Sequence, residues 1–242
     1  MKNIQTNTLI YKSTHNDTPL HGFYAYDTSF SGKRPVVIVA HDWSGQNDFA
    51  KEKAKKLAKM GYVGFALDMY GHGKTGETKE EKMALLSPVV QDRPLVAARI
   101  KAAVDAAKSL SDVDSTKIAA IGFCFGGLCV LDLARTGEAI SGVVSFHGLL
   151  GAPEHQTSPK IHAKVLVLHG QDDPMAPHEH VQTFAKEMTK AQADWQFHIY
   201  GNTKHAFMNP QANDPELGLI YNAQTCHRAW NLAECFLKEI FE

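Results

Sequence analysis

The alternation of short apolar segments with amphipathic segments of helical period constrains the fold of this chain more than any other feature. Residues 34–41 are apolar and rich in valine, which is typical of a strand buried on both faces. Residues 50–58 place their apolar side chains on one stripe of a helix, and the alternation continues to an amphipathic helix predicted over residues 220–241. Repeated strand–helix units predict an α/β fold, with a mostly parallel central sheet and helices on both faces. Ligands bind such sheets in the loops at the carboxyl ends of the strands.

Two further observations complete the predicted architecture. Residues 7–12 and 20–27 are predicted to form an N-terminal antiparallel strand pair. The remaining strands are predicted over residues 62–69, 117–123, 140–146, 164–169 and 195–200, and the remaining helices near residues 94–107, 125–136 and 181–188. Because no repeat, low-complexity segment or linker interrupts the chain, a single domain is predicted over residues 1–242.

Composition and charge exclude several classes of function. The 25 basic and 26 acidic side chains leave a net charge of -1, so bulk charge cannot hold nucleic acid or an anionic membrane. The apolar segments are far shorter than the roughly 18 residues of a membrane span. The first 17 residues lack the apolar core of a secretory signal, which predicts a cytoplasmic protein. We therefore expect a small-molecule substrate, no nucleic-acid partner and no membrane partner, and we leave monomer and homodimer open.

The four cysteines, at positions 124, 129, 226 and 235, fit reduced thiols better than disulfides, and one of them has a distinctive setting. Cys124 lies in a G-x-C-x-G-G motif, residues 122–127, between an apolar strand and an apolar helix. Glycines two residues before and after a nucleophile allow a sharp strand-to-helix turn. The helix N-terminus favours a thiolate, and the N–H of Phe125 is predicted to face the developing oxyanion. The alternative is a buried structural cysteine, which is the usual state of an unpaired cysteine.

A carboxylate and a histidine follow at later strand ends. Asp172 and Asp173 both follow the strand over residues 164–169; we expect Asp173 to orient a histidine and Asp172 to serve a local turn. His205 follows the last strand and is the candidate base, although any one of 13 histidines is weak evidence alone. The order nucleophile 124, acid 173, base 205 matches that of the α/β-hydrolases.

Two other motifs resemble binding sites, but we predict that neither binds a nucleotide or a metal ion. Residues 71–76 match the G-x-G-x-x-G pattern of dinucleotide sites, but a charged stretch rather than a helix follows. A P-loop needs a glycine at position 68, where this chain has Asp68. The side chains of His178 and His180 diverge at a helix start, so no metal site is expected, and no cofactor. Residues 75–91 are expected to form part of a pocket wall or lid.

With these motifs in place, the chain resembles the dienelactone hydrolase family, the cysteine-using branch of the α/β-hydrolases, from about residue 20 to 241. The resemblance is carried by residues 122–127, 170–174 and 205–207, and also by the loop 41–45. It implies an α/β-hydrolase fold, hydrolysis of esters or lactones by a Cys124–His205–Asp173 triad, and no cofactor. It also implies a second oxyanion N–H from Trp43.

The chain departs from this family at two positions. Asp42 stands where the family typically has a glutamate that interacts with the resting cysteine, so Asp42 is a candidate to modulate the nucleophile or bind substrate, or else a simple turn residue. Asn209 stands where family members that act on dienelactone have an arginine for the substrate carboxylate. This second departure argues against dienelactone itself as the substrate.

The predicted function is therefore hydrolysis of a small ester or lactone through an acyl-cysteine intermediate. Two alternatives stay open: a thioesterase or broad carboxylesterase on the same scaffold, and a non-catalytic binding protein that retains the hydrolase fold.

Overall fold

The central feature of the fold is an eight-stranded, mostly parallel sheet. A computed structural model describes residues 3–154 and 160–242. The strands are β1 (Ile4–Lys12), β2 (Pro19–Asp27), β3 (Arg34–Ala40), β4 (Val63–Ala66), β5 (Val113–Phe123), β6 (Gly142–Phe146), β7 (Lys164–Gly170) and β8 (Trp195–Tyr200). Their order in the sheet is β1-β2-β4-β3-β5-β6-β7-β8. Strand β2 pairs antiparallel with β1 and β4, whereas β3 pairs parallel with β4, and β7 pairs parallel with β6 and β8.

Helices connect these strands. They are α1 (Asp48–Ala58), α2 (Lys79–Val90), α3 (Arg93–Lys108), α4 (Phe125–Arg135), α5 (His178–Lys190) and α6 (Ala223–Phe241). A two-residue antiparallel pair, β9 (Asn213–Asp214) and β10 (Leu219–Ile220), lies outside the main sheet. The predicted α/β fold with an N-terminal antiparallel strand pair is confirmed, and the strand order and connections are those of an α/β-hydrolase fold. Among the described residues, no helix has the length and apolar character needed to cross a bilayer.

The chain divides into two compact units, Met1–Ala120 and Ile121–Glu242, so that β5 runs from one into the other. In the first unit, α1 packs on β2, β3 and β4, and α3 packs on β1 and β3. The side chains of residues 36–40 are fully buried there, as the valine-rich segment predicts. A single domain over residues 1–242 stays a prediction.

In the second unit, α4 packs on β6, and α6 packs on β6 and β7. Every residue of α4 is buried, including Arg135 at its last turn. The Arg135 guanidinium donates two 2.8 Å hydrogen bonds to the carboxylate of Glu187 on α5. It also binds Asp132 at 3.2 Å, so this buried cation is paired on two sides. These contacts fix the carboxyl end of the helix whose amino end carries the candidate nucleophile.

The structure differs from the sequence prediction at the ends of several strands, in the unpredicted pair β9–β10, and most clearly at β4 and α2. Strand β4 ends at Ala66, three residues earlier than predicted, because Asp68 organises the following residues into a loop. Helix α2 was not predicted: it begins with a capping box between Thr78 and Glu81, contains Pro88, and buries only Val89. A helix that buries so few side chains shows no apolar stripe in its sequence.

Candidate active site

Cys124 occupies the sharp turn between β5 and α4. Its backbone has φ 54° and ψ -115°, a left-handed region that residues with a Cβ rarely adopt. Gly122 makes the turn possible, since a Cβ there would fall onto the backbone carbonyl of Gly126. The turn leaves the Cys124 side chain partly exposed, in contrast to Cys129 on the same helix, which is fully buried.

The backbone of Cys124 is held from both sides. Its carbonyl accepts hydrogen bonds from the N–H groups of Gly127 and Leu128, which start α4. Its N–H donates to the carbonyl of Phe146 and to Nδ1 of His147, each at 3.1 Å. The N–H of the nucleophile is therefore committed to β6 and its following loop. The next N–H along the chain, that of Phe125, is the first in α4, where the helix itself supplies no acceptor.

His205 and Asp173 meet in the interior of the second unit. Nδ1 of His205 lies 2.8 Å from Oδ2 of Asp173, and both side chains have 0% exposure. The other carboxylate oxygen of Asp173 accepts the N–H of Met175 at 2.9 Å. Asp172 is exposed, and its backbone N–H donates to the carbonyl of Thr203 at 2.9 Å. Of the two carboxylates that compete in the sequence, the structure brings Asp173 to the histidine.

The backbone of His205 is held by the short pair β9–β10. The carbonyl of His205 accepts the N–H of Ile220 at 3.0 Å, and His205 forms a parallel bridge with Leu219. With Nδ1 on Asp173, the remaining ring nitrogen is Nε2, which is buried. A buried ring nitrogen of this kind can take a proton from, or return it to, a reacting group.

Burial and charge act in opposite directions on His205. Burial lowers the pKa of its imidazole, whereas the charge of the Cys124 thiolate and the hydrogen bond to Asp173 raise it. The net result raises the pKa to about 10. The electrostatics therefore favour an imidazolium on His205.

Two histidines that the sequence analysis did not identify lie beside the pair of His205 and Asp173. His147 is buried, and its ring centroid lies 5.1 Å from that of His205 in an edge-on arrangement. His169 is also buried, with Nδ1 4.0 Å from Oδ2 of Asp173, and burial lowers the pKa of its imidazole. Both residues follow or end strands, β6 and β7 respectively. That position was the only sequence signal that could have indicated them.

Within the first unit, the loop after β3 is rigidly held. The N–H of Met69 donates to Nε2 of His41 at 3.1 Å, so that Nδ1 carries the ring proton and donates to the carbonyl of Asp42 at 2.6 Å. The carboxylate of Asp42 accepts the N–H of Ser44 at 2.8 Å, and the hydroxyl of Tyr70 donates to the carbonyl of Trp43 at 2.9 Å. Asp42 thus has a turn-stabilising role in this structure, one of the two roles expected from the sequence.

Residues 75–91 lie against this loop. The N–H of Gly76 donates to the carbonyl of Ser44 at 3.1 Å, and Nζ of Lys82 lies 5.4 Å from the ring centroid of Trp43. The segment expected to form a pocket wall or lid is therefore attached to the loop that carries Trp43.

Amide groups of the glycine-rich loop 71–76 donate to oxygens of the protein itself. The carboxylate of Asp68 accepts the N–H groups of Tyr70 and Gly71 on one oxygen, and those of His21 and Gly73 on the other. Amides committed in this way are not available to cradle a phosphate. Among residues 3–154 and 160–242, no group of three His, Cys, Asp or Glu side chains is arranged to hold a metal ion.

Comparisons with known proteins agree on one family. The model of the dienelactone hydrolase family matches residues 20–241. An Aquifex aeolicus protein with a provisional assignment as a carboxymethylenebutenolidase is 27% identical over 209 residues, or 84% of this chain and 87% of the relative. A Bradyrhizobium protein provisionally assigned as a 2-oxo-3-(5-oxofuran-2-ylidene)propanoate lactonase is 30% identical and covers 86% of this chain and 85% of its own.

Solved structures lead to the same family. The crystal structure of P91, a dienelactone hydrolase-like promiscuous phosphotriesterase from metagenomic libraries, is similar with a TM-score of 0.93 and 35% identity. The similarity covers 99% of this chain and 100% of P91. The chain therefore belongs to the dienelactone hydrolase family and is an ester or lactone hydrolase.

Proposed function

We propose that this protein cleaves small esters or lactones with Cys124 as nucleophile, His205 as acid and base, and Asp173 as the residue that orients His205. The observation that carries the proposal is the 2.8 Å contact of Nδ1 of His205 with Asp173, which directs Nε2 away from the carboxylate. The positive φ of Cys124 at the start of α4 supports its role as the attacking group. Membership of a hydrolase family favours this proposal over a non-catalytic binding protein.

In the first half of the reaction, the Cys124 thiolate attacks the substrate carbonyl carbon and forms a carbon–sulfur bond. The tetrahedral intermediate then breaks the carbon–oxygen bond to the leaving group, and the His205 imidazolium gives its proton to the departing alkoxide. An ester releases an alcohol at this step. A lactone instead opens, and its new hydroxyl stays attached to the acyl group on sulfur.

In the second half, neutral His205 takes a proton from water through Nε2, and the resulting hydroxide attacks the thioester. Collapse of this second tetrahedral intermediate releases the carboxylic acid and returns the thiolate–imidazolium pair. Asp173 remains ionised throughout; its hydrogen bond fixes the tautomer and stabilises the imidazolium, in agreement with the raised pKa of His205.

The oxyanion of both intermediates is assigned to backbone donors. The N–H of Phe125 is suited to this role because it begins α4, directly after the nucleophile, at the positive end of the helix dipole. The N–H of Cys124 itself is excluded, because it donates to Phe146 and His147. The second donor, the N–H of Trp43, stays a prediction from the sequence, as does a cytoplasmic location.

The first experiment is rapid-mixing hydrolysis of a short activated aryl ester by the wild type and the Cys124→Ala variant. We expect a burst of one aryl alcohol per enzyme in the wild type only, since an acyl-cysteine that forms faster than it is hydrolysed accumulates during the first turnover. Cys235→Ala is the matched control, because Cys235 is exposed on α6 and should leave the burst unchanged. Wild-type turnover in Cys124→Ala would refute the assignment of the nucleophile.

A panel of substrates then separates the related activities. Oxygen esters, thioesters and lactones distinguish a lactonase from the thioesterase and carboxylesterase alternatives. Substrates that carry a carboxylate should be poor, because the side-chain oxygen of Asn209 caps the N–H of Gln211 at 3.0 Å and offers no cation. The similarity to P91 favours one second candidate, the cleavage of phosphotriesters, and an aryl dialkyl phosphate in the same panel tests it.

A further inference from the structure

His147 contacts the backbone of Cys124 and the ring of His205. Its Nδ1 accepts the backbone N–H of Cys124 at 3.1 Å, while its ring packs edge-on against His205 at 5.1 Å and against Phe207 at 5.0 Å between centroids. All three rings are buried. Among the described residues, His147 is the side chain that hydrogen-bonds to the backbone of Cys124.

The backbone of His147 is arranged to aim the ring at the nucleophile. Its φ is 39°, in the left-handed region, and its N–H donates to the carbonyl of Leu168 at 2.9 Å, which ties the residue to β7. Gly148 follows and packs directly on Gly127 of α4, where a Cβ would collide with the backbone. A residue held in an unfavourable backbone conformation at a reacting group is typical of a functional constraint.

The hydrogen bond also fixes the protonation state of the ring. Because the Cys124 N–H donates to Nδ1, this nitrogen carries no proton, and the proton of neutral imidazole lies on Nε2. An imidazolium at position 147 would direct an N–H against the N–H of Cys124. It would also place a second positive charge beside the imidazolium of His205. The contacts therefore require His147 to be a neutral acceptor and exclude it as a second base acting through Nδ1.

We propose that His147 is a positioning residue, whose neutral Nδ1 holds the strained peptide of Cys124 so that the sulfur and the N–H of Phe125 keep their reactive directions. The inference rests on the proposed function of Cys124. The carbonyl of Phe146 shares the same N–H, but this acceptor is part of the strand and cannot turn with the side chain. Loss of the second acceptor should let the turn relax, and a displacement of about 1 Å at a reacting atom costs roughly 100-fold in rate.

Two variants separate the acceptor from the ring. His147→Phe keeps an aromatic ring without an acceptor, and His147→Asn keeps an acceptor, Oδ1, at the position of Nδ1 without the ring. We expect His147→Phe to lower kcat and the burst rate by about 10- to 100-fold with KM unchanged, and His147→Asn to restore both to within about threefold of the wild type. His198→Phe, on the exposed face of β8, is the matched control and should change neither.

The outcomes are separable. Circular dichroism and thermal unfolding establish that each variant folds; if His147→Phe does not, the same comparison is made between His147→Ala and His147→Asn, where we expect at least a tenfold higher kcat for Asn. Equal kcat in that pair, or a wild-type kcat in folded His147→Phe, overturns the inference. Cys124→Ala is measured in the same assay: its inactivity beside a fully active His147→Phe would refute only the role of His147, whereas its activity would refute the proposed nucleophile.

Discussion

At the scale of single residues, adjacent side chains of the same type have opposite environments. Asp172 and Asp173 are neighbours in sequence, yet Asp173 is buried against His205 and Asp172 faces solvent. The sequence places both residues in the loop after β7, where no periodic pattern shows which of two adjacent side chains faces the interior. The preference for Asp173 was a hypothesis from motif spacing, and the 2.8 Å contact supports it.

This contrast gives a matched pair of variants. Asp173→Asn removes the charge that stabilises the imidazolium and presents an amide that can donate to Nδ1, which favours the wrong tautomer. We expect kcat on an aryl ester to fall by about a thousandfold or more, with the fold retained. Asp172→Asn should stay within about twofold of the wild type. A larger loss in Asp172→Asn than in Asp173→Asn would reverse the assignment of the acid.

The histidines show the limit of residue-level prediction. His205 is a prediction from the sequence because it follows a strand and fits the order of an α/β-hydrolase triad. His147 and His169 follow or end strands as well, but no spacing rule links them to Cys124 or Asp173. Their contacts arise only when β6 and β7 pair in register, since the sheet aligns Phe146 with Leu168. Such contacts are a product of tertiary structure and have no local signature.

At the scale of elements, the junction of β5 and α4 positions the candidate nucleophile, Cys124. The motif of residues 122–127 predicted this junction, because glycines are needed where a strand turns sharply into a helix. The structure supplies the reason at Gly122: the backbone of Gly126 occupies the place where a Cβ would be. Helix α2 and the pair β9–β10 were missed, since α2 buries only Val89 and each strand of the pair has two residues.

The close approach at this junction is testable by adding one methyl group. In Gly122→Ala, the new Cβ meets backbone rather than a flexible side chain, so β5 or α4 must shift. We expect a loss of about 3 kcal/mol or more in the free energy of unfolding, together with a loss of ester turnover. Gly201→Ala is the control, because nothing lies within 4 Å of the added Cβ, and its stability should change by less than about 0.5 kcal/mol. Urea denaturation measures both; equal stabilities would contradict the packing at the turn.

At the scale of the whole molecule, the sheet was predictable because its inner strands are apolar runs and its outer strands alternate. The six central and edge strands predicted after the antiparallel pair all form, and differ from prediction mainly at their ends. A strand that is buried on both faces must be apolar along its length, and this is why residues 36–40 could be predicted as an inner strand. Loops carry no equivalent signal: the sequence argues against a phosphate site at residues 71–76, but the four hydrogen bonds of Asp68 to amides in and beside this loop become visible only in the structure.

The protonation of His205 in the proposed triad should also affect the stability of the whole chain. The pKa of His205 is raised to about 10, whereas an unfolded histidine titrates near 6.5. Between these values the folded protein holds a proton that the unfolded chain releases. The stabilisation is therefore fully present below about pH 6.5 and is lost as the pH rises through 10.

The useful window lies between about pH 8.5 and 10, above the pKa of an unfolded thiol; the tyrosines and lysines that also titrate toward its upper end are common to the wild type and the Cys124→Ala variant. The free energy of unfolding of the wild type should fall across this window. The fall should be shallower in Cys124→Ala, because the thiolate that raises the pKa of His205 is absent while the other titrating groups are shared. Urea titrations at half-unit steps of pH measure the two slopes, and the shift of the His205 ring signals in NMR reports its pKa directly. Identical slopes and an unchanged ring pKa in the variant would show that Cys124 does not hold the proton on His205.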